Sequence, residues 1–340
     1  SWFSSNKEGF DSPWDRQKLF MFNIGIIDKI NPKGIEILKK NNKFKFELIT
    51  DISKENLIKK LPEFDGITLR RGKVDAEILK NCNKLKVISR HGVGYDNVDV
   101  DFIKKNNIKL LVTDASTSTS PAEHIMFMII SIYKGINMFD DIVRKGNFAK
   151  AIHMNINENF ELFNKNILII GFGRIGKKLI KKCLGFDLNV SVYDPYVDES
   201  IIKSYGGVKV TNFIDAIKKT DILSLSVPRN KETHNLITIN EMKLMKKNSI
   251  LINASRGGIV NEVDLNNALN NKDIFFAGID VFEKEPPDID NPLLTNKKVM
   301  LSPHAATFTK ECLENMSIET VTNLIDFFEK KIDKSKIVNL

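Results

Sequence analysis

Ile167-Leu168-Ile169-Ile170-Gly171-Phe172-Gly173-Arg174-Ile175-Gly176 is the stretch that decides the fold. An apolar run of strand length passes into glycines spaced G-x-G-x-x-G and then into Lys177-Lys178-Leu179-Ile180, which continues as a helix. The first glycine, Gly171, allows a tight turn, and the second, Gly173, lets a pyrophosphate approach the backbone. The third, Gly176, lets the helix pack closely on the strand, with Arg174 and Ile175 at the helix N-terminus that faces the anion. Asp194 closes the next strand-like run, Val190-Ser191-Val192-Tyr193, about 20 residues on, where a carboxylate accepts ribose hydroxyls. A glycine turn alone is a weak signal. A strand before it, a helix after it and an acid downstream make it a dinucleotide site.

Outward from this motif, apolar runs alternate with helical stretches in both directions. Five precede it, at Phe22–Ile27, Phe44–Leu48, Gly66–Leu69, Leu85–Ser89 and Leu110–Thr113. The series that it opens has seven: Ile167–Ile170, Val190–Tyr193, Val208–Val210, Ile222–Ser226, Ile250–Ile252, Phe275–Gly278 and Val299–Leu301. Such alternation implies parallel sheets wound with helices, here one complete doubly wound sheet and one smaller one. A chain of 340 residues also exceeds what one hydrophobic core usually serves, so two domains are expected. Ser120-Pro121-Ala122-Glu123 has the pattern of a capping box with proline at the first helical position. Apolar residues continue to Met138, so a long helix is expected there, a candidate for crossing from one domain to the other. Residues 1–19, with Trp2, Phe3, Phe10 and Trp14, fit no element and form an arm of unknown role.

Composition removes several classes of function. The net charge of +8 comes from scattered lysine doublets such as Lys39-Lys40 and Lys246-Lys247 rather than one block with interleaved aromatics, so nucleic-acid binding is not expected. A mild positive field does suit an acidic substrate. Cys82, Cys183 and Cys312 have neither an even count nor motif spacing, which argues against a disulfide framework and a zinc site and for reducing cytoplasm. The first residues carry Lys7, Glu8, Asp11 and Asp15 without an apolar run, unlike a signal peptide. The apolar stretch Ile125–Ile132 is too short to span a bilayer, so no membrane segment is expected.

Arg256, Glu285 and His304 each follow a strand-like run. In open α/β sheets the carboxyl ends of strands are where ligands bind. A cation, a carboxylate and an imidazole converging there suit acid–base chemistry on an anionic substrate. Taken singly, each has a plainer reading: a surface arginine, a solvated carboxylate, a histidine satisfying a core carbonyl. Which of Glu283 and Glu285 points inward is open at this level. Joint placement after successive strands of the dinucleotide sheet favours the catalytic reading.

Five runs together give the chain its resemblance to a known family. They are Arg90-His91-Gly92-Val93-Gly94-Tyr95-Asp96-Asn97-Val98-Asp99, the glycine turn, Asn253 to Gly258, Gly278 to Pro287, and Ser302 to Ala306. From about Phe22 to the C-terminal helix the chain resembles the D-isomer-specific 2-hydroxyacid dehydrogenases. Val192-Tyr193-Asp194-Pro195-Tyr196 and Gly92–Asp99 look most like its short phosphoglycerate-oxidising branch. The resemblance implies a Rossmann NAD-binding domain over 119–305 and a smaller flavodoxin-like substrate domain from 20–118 and 306–340. It implies NAD as cofactor, a small anionic 2-hydroxy or 2-keto acid as substrate, and a homodimer. The apolar residues from Ile125 onward exceed one helix face, which also favours burial against a second copy.

Carried over residue by residue, Arg256 would hold the substrate carboxylate and His304 would be the general acid–base. Glu285 would hydrogen-bond the imidazole and favour its charged form. Val93 and Gly94 would cradle the carboxylate through their backbone. Arg174 and Ile175 would lie at the pyrophosphate and Asp194 at the ribose, with Pro228 and Thr233 lining the cofactor site. Ala254 and Asp280 would sit by the nicotinamide. The family also uses an arginine near the end of the third strand for substrate, and Arg70 and Arg71 both compete for that place. Either could receive a second anionic group, making a phosphorylated three-carbon acid the leading candidate. The chain departs from many members in having Ser226 where they carry histidine. Glutamate at 285 argues against the formate-oxidising branch. A single long helix after Ala306 leads us to expect no regulatory extension. The alternative in a different class is a dinucleotide-sensing, corepressor-like binding protein without physiological turnover.

Overall fold

Short runs of apolar residues become strands because each is covered on both faces, as strands wound with helices require. The computed structural model describes residues 22–113, 116–153 and 159–339, so the expected arm over residues 1–19 lies outside the described residues. The first five strands are β1 (Phe22–Ile27), β2 (Phe44–Ile49), β3 (Gly66–Leu69), β4 (Val87–Arg90) and β5 (Lys109–Val112). They form one sheet in the order β2-β1-β3-β4-β5. β6 (Asn166–Ile170), β7 (Asn189–Tyr193), β8 (Val208–Lys209), β9 (Ile222–Leu225), β10 (Ile250–Asn253), β11 (Phe276–Ile279) and β12 (Val299–Leu301) form the other. Its order is β12-β11-β10-β9-β6-β7-β8, and every pairing in both sheets is parallel.

The chain divides into two compact units, Ser1–Asp114 with Glu314–Leu340, and Ala115–Leu313. The second is longer at both ends than the expected 119–305. Ala306, expected in the other domain, is 5% exposed within this unit's core. Alternation along β6 builds both faces of that core. Ile167 and Ile169 pack with Ile125, Met128 and Ile129 on one side, and Leu168 and Ile170 pack with Leu265 and Leu269 on the other. In the first unit, Ile24 and Ile26 meet Val321 and Leu324 of the C-terminal helix Lys310–Phe328, while Ile27 and Ile67 meet Leu57 on the opposite face. Both units are α/β parallel-sheet domains, and the strand order of the second is that of an extended Rossmann sheet, reversing between β6 and β9.

The helix after the first sheet differs from expectation in three ways. It runs Thr119–Lys134 with Ser118 as N-cap and no side-chain capping bond, so Ser120 is an interior residue and the capping box does not form. The Ser120 hydroxyl instead donates to the Ala306 carbonyl at 2.6 Å, and Glu123 pairs with Lys182 at 3.0 Å. Gly135, at φ 60°, ends the helix before Met138, and a second helix, Ile136–Arg144, follows. Third, most of its apolar surplus is buried inside its own unit, at Ile125, Met126, Met128, Ile129, Ile132 and Tyr133, while Phe127 is 52% exposed. Among the described residues, no helix is long and apolar enough to cross a membrane.

Candidate active site

The glycine turn sits where the strand order reverses, the place at which open α/β sheets leave a crevice. Gly171 has φ 94°, and a Cβ there would stand 2.4 Å from the Ser226 carbonyl oxygen; a Cβ on Gly176 would stand 2.5 Å from the Gly171 oxygen. Both positions therefore demand glycine for the backbone to close. Gly173 is different, since a Cβ there would meet nothing within 4 Å. That open space lies at the N-terminus of the helix Arg174–Leu184, whose N-cap is Gly173 and which has no side-chain cap. Backbone N–H groups at such an end attract anions. Asp194 follows β7, the neighbour of β6, and its two carboxylate oxygens accept from the Phe172 and Tyr196 amides at 2.8 and 2.9 Å. These residues fit a dinucleotide. Beyond β9, the Thr233 hydroxyl donates to the Pro228 carbonyl at 2.6 Å and shapes that loop, leaving Pro228 exposed and Thr233 half-buried.

β10, β11 and β12 end level with one another, in the register Asn253↔Ile279↔Leu301, so the three expected catalytic loops leave one edge side by side. Asn253, 2% exposed, turns the first of them: it accepts from the Ser255 amide at 3.1 Å and donates to the Arg256 carbonyl at 2.9 Å. Gly257 then passes so close to the second loop that a Cβ would lie 1.8 Å from the Phe282 carbonyl oxygen. Arg256 thus stands in a loop pressed backbone to backbone against the loop that carries Glu285. Its own Nη1 donates to the Ser255 carbonyl at 2.6 Å.

Glu285, not Glu283, faces the imidazole. One of its oxygens accepts from the Phe282 amide at 3.1 Å and the other lies 2.8 Å from His304 Nδ1. Because an ionised carboxylate only accepts, Nδ1 carries the proton and Nε2 is the nitrogen left for other chemistry. Glu283 turns away and pairs with Arg229 at 3.2 Å and His234 at 3.4 Å. His304 is 46% exposed, so its imidazole is accessible, and its backbone lies in the left-handed region at φ 53°.

Ala254 and Asp280 are placed differently from the exposed residues. Ala254 is 8% exposed and belongs to the hydrophobic core, and the Asp280 side chain has no exposed surface. Asp280 accepts from the Ser302 hydroxyl, from the Ala305 amide at 2.8 Å and from the Ala306 amide at 3.1 Å, with His124 Nε2 3.4 Å away. Burial pushes its carboxyl upward, but the bonds from His124, Ser302 and Ala305 outweigh that and hold it below the ordinary range. His124 is a polar partner that motif reading misses. Its place one residue after Glu123 is a faint signal, and nothing local points to Asp280.

In the first unit, Arg70 follows β3 directly. It donates to the Lys29 carbonyl at 2.8 Å and lies 3.9 Å from Asp28, which Arg71 also engages, at 2.9 Å. Burial and the neighbouring Arg71 both lower the Arg70 pKa. Arg90 closes β4 and ties its end to β3 through the Leu69 and Arg70 carbonyls, both at 2.7 Å. Beyond it, Val93 is exposed and Gly94 half-buried. His91 is 5% exposed, and its Nε2 has no hydrogen-bond partner among the described residues.

Residues 126–306 match the NAD binding domain of the D-isomer specific 2-hydroxyacid dehydrogenases. A glyoxylate reductase of Thermococcus litoralis is 36% identical over 284 residues, covering 81% of this chain and 84% of that protein. The chain belongs to the D-isomer specific 2-hydroxyacid dehydrogenase family. A D-3-phosphoglycerate dehydrogenase of Archaeoglobus fulgidus is 33% identical over 316 residues, covering 93% of this chain and 59% of that protein. The chain thus spans about three fifths of the length of that relative. Among solved structures, the D-lactate dehydrogenase of Aquifex aeolicus, complexed with NAD and lactic acid, superposes with a TM-score of 0.81 at 28% identity. It covers 93% of this chain and 99% of that one.

Proposed function

We propose that this protein is an NAD-dependent oxidoreductase that interconverts a small D-2-hydroxy acid and its 2-keto acid, with 3-phosphoglycerate the leading candidate. The observation that carries the reading is the His304–Glu285 pair, 2.8 Å apart and accessible, on the same sheet edge as the glycine turn. Gly171, Gly173, Arg174, Ile175 and Gly176 would hold the pyrophosphate of NAD and Asp194 its ribose, and the bound cofactor would supply or take up the hydride. Pro228, Thr233, Ala254 and Asp280 border that site. Arg256 grips the substrate carboxylate in the fork geometry that arginine provides. His304 Nε2 gives a proton to the keto oxygen in reduction and takes it back in oxidation, while Glu285 holds Nδ1–H and so fixes which nitrogen faces the substrate. Arg70 and Arg71 offer charge to a second anionic group, and Val93 and Gly94 offer backbone donors. The smaller unit, in the order β2-β1-β3-β4-β5 and completed by the C-terminal helix, is a flavodoxin-like substrate domain.

The protein works as a homodimer in the cytoplasm. Three buried cysteines with no motif spacing suit that compartment. The dimer is supported by the helix Ile136–Arg144, which buries no residue and exposes Ile136, Met138 and Val143 near the exposed Phe148 and Ile152. Sedimentation at micromolar concentration should give twice 38.7 kDa, and a species of 38.7 kDa alone would refute the dimer. A panel of 2-keto acids, followed at the nicotinamide absorbance with NADH, tests the activity. Turnover of a phosphorylated or other small acid supports the proposal. NADH binding without turnover on any acid supports the dinucleotide-sensing reading.

A further inference from the structure

The segment that carries His304 is held from a distance, by one face of one helix. Ser120 and His124 stand four residues apart in the helix Thr119–Lys134 and so share a face. Ser120 donates to the Ala306 carbonyl at 2.6 Å, and His124 Nε2 lies 3.0 Å from the Ser302 hydroxyl. That hydroxyl donates to Asp280, so His124 Nε2–H heads a chain of donors that ends on a buried carboxylate. Asp280 in turn fixes three consecutive residues, accepting the His304 amide on its carbonyl at 2.7 Å and the Ala305 and Ala306 amides on its carboxylate.

We propose that Ser120 and His124 are positioning residues, a clamp that fixes the 302–306 segment through Asp280 and thereby aims the His304 imidazole. The left-handed backbone at His304 is of the kind that persists only where surrounding contacts over-determine it. Six contacts to the segment, from Ser120, His124 and Asp280, supply that determination. Removing His124 leaves the Ser302 hydroxyl and the Asp280 carboxylate without their outer donor, so both can shift to a new pose and carry the two bound amides with them. An acid–base group displaced by about 1 Å can lose on the order of 10²-fold in rate.

This inference rests on His304 being the acid–base group of the proposed activity, and its test has one arm that does not need turnover. His124→Leu should lower kcat by about 10–100-fold while the KM for the keto acid and the affinity for NADH stay near wild type. His124→Gln, whose amide NH₂ can again donate to Ser302, should recover most of that loss. The His304 imidazole signals in a histidine-selective NMR spectrum, assigned with His304→Gln, should move in His124→Leu and return in His124→Gln. Wild-type kcat in His124→Leu, a loss that glutamine does not recover, or unmoved His304 signals would each overturn the clamp. A wild-type protein inactive on every keto acid would refute the proposed function instead, and the NMR comparison would then decide the clamp alone.

Discussion

Two histidines stand just past the carboxyl ends of strands, His91 after β4 and His304 after β12, and the protein treats them in opposite ways. His304 is 46% exposed, is hydrogen-bonded by Glu285 and has its backbone pinned to Asp280. His91 is 5% exposed, and its Nε2 has no hydrogen-bond partner among the described residues. Burial, reinforced by Arg70 and Arg90, pushes the His91 pKa down to about 4, so it is neutral wherever His304 would work. Position at a strand end therefore does not by itself suit an imidazole to acid–base work; access and a partner that fixes one ring nitrogen do.

The sharpest way to break this comparison is to remove each ring in turn. His304→Ala should lower kcat by about 10²–10⁴, the range that a positioned general acid contributes, with NADH affinity little changed. Stopped-flow NADH binding beside steady-state turnover separates the two effects. A kcat within a few-fold of wild type would assign the acid–base work elsewhere.

His91 should show itself in acid stability instead. A histidine depressed to about 4 in the fold takes up its proton from about 6.5 downward once unfolded. Its contribution is thus fully present above pH 6.5 and is lost as pH falls towards 4, with about 3 kcal/mol at stake across that window. His91→Gln, which does not titrate there, should flatten the fall in Tm between those limits. Equal slopes for the two proteins would mean that the ring is protonated in the fold.

What could be read in the chain beforehand follows the same division between local and distant causes. Most of the twelve strands among the described residues were legible as apolar runs bounded by turn residues, and the glycine turn because Gly171 and Gly176 answer to contacts that only a missing side chain permits. Glu283 and Glu285 were not separable, since they share one loop and the choice is made by Arg229, His234 and His304. Ser120 misled for a related reason. Its local pattern is that of a helix cap, yet its hydroxyl is taken by a carbonyl 186 residues away. His124 was missed because its nearest polar partner, Ser302, lies 178 residues on.

The two arginines after β3 extend the comparison to charge. Arg70 has a side chain 22% exposed and anchored on a carbonyl, whereas that of Arg71 is 69% exposed. The half-buried cation should matter more. Arg70→Ala should cost about 1.5–3 kcal/mol in kcat/KM for a phosphorylated or dicarboxylic acid, at least tenfold, and spare pyruvate and glyoxylate. Arg71→Ala should cost about 1 kcal/mol or less, as exposed pairs do. If both variants treat charged and uncharged acids alike, the substrate carries no second anionic group.

The smallest effect belongs to the adenosine end, where the carboxylate is accessible and screened. Both oxygens of Asp194 are oriented by backbone amides, so it would meet a ribose in a fixed pose. Pro195-Tyr196-Val197-Asp198 brings no cation to offset it, and Glu232, which accepts from the Tyr196 hydroxyl at 2.9 Å, adds a second acid nearby. A ribose 2′-phosphate would therefore be repelled, and NAD should be preferred to NADP. Asp194→Ala should narrow that preference by about 1 kcal/mol, roughly fivefold, most visibly at low salt where charge is least screened. Glu232→Gln should narrow it less, because that carboxylate already accepts the Tyr196 hydroxyl hydrogen bond. Equal catalytic efficiency with both cofactors in the wild-type protein would show that the fixed carboxylate does not face the ribose at all.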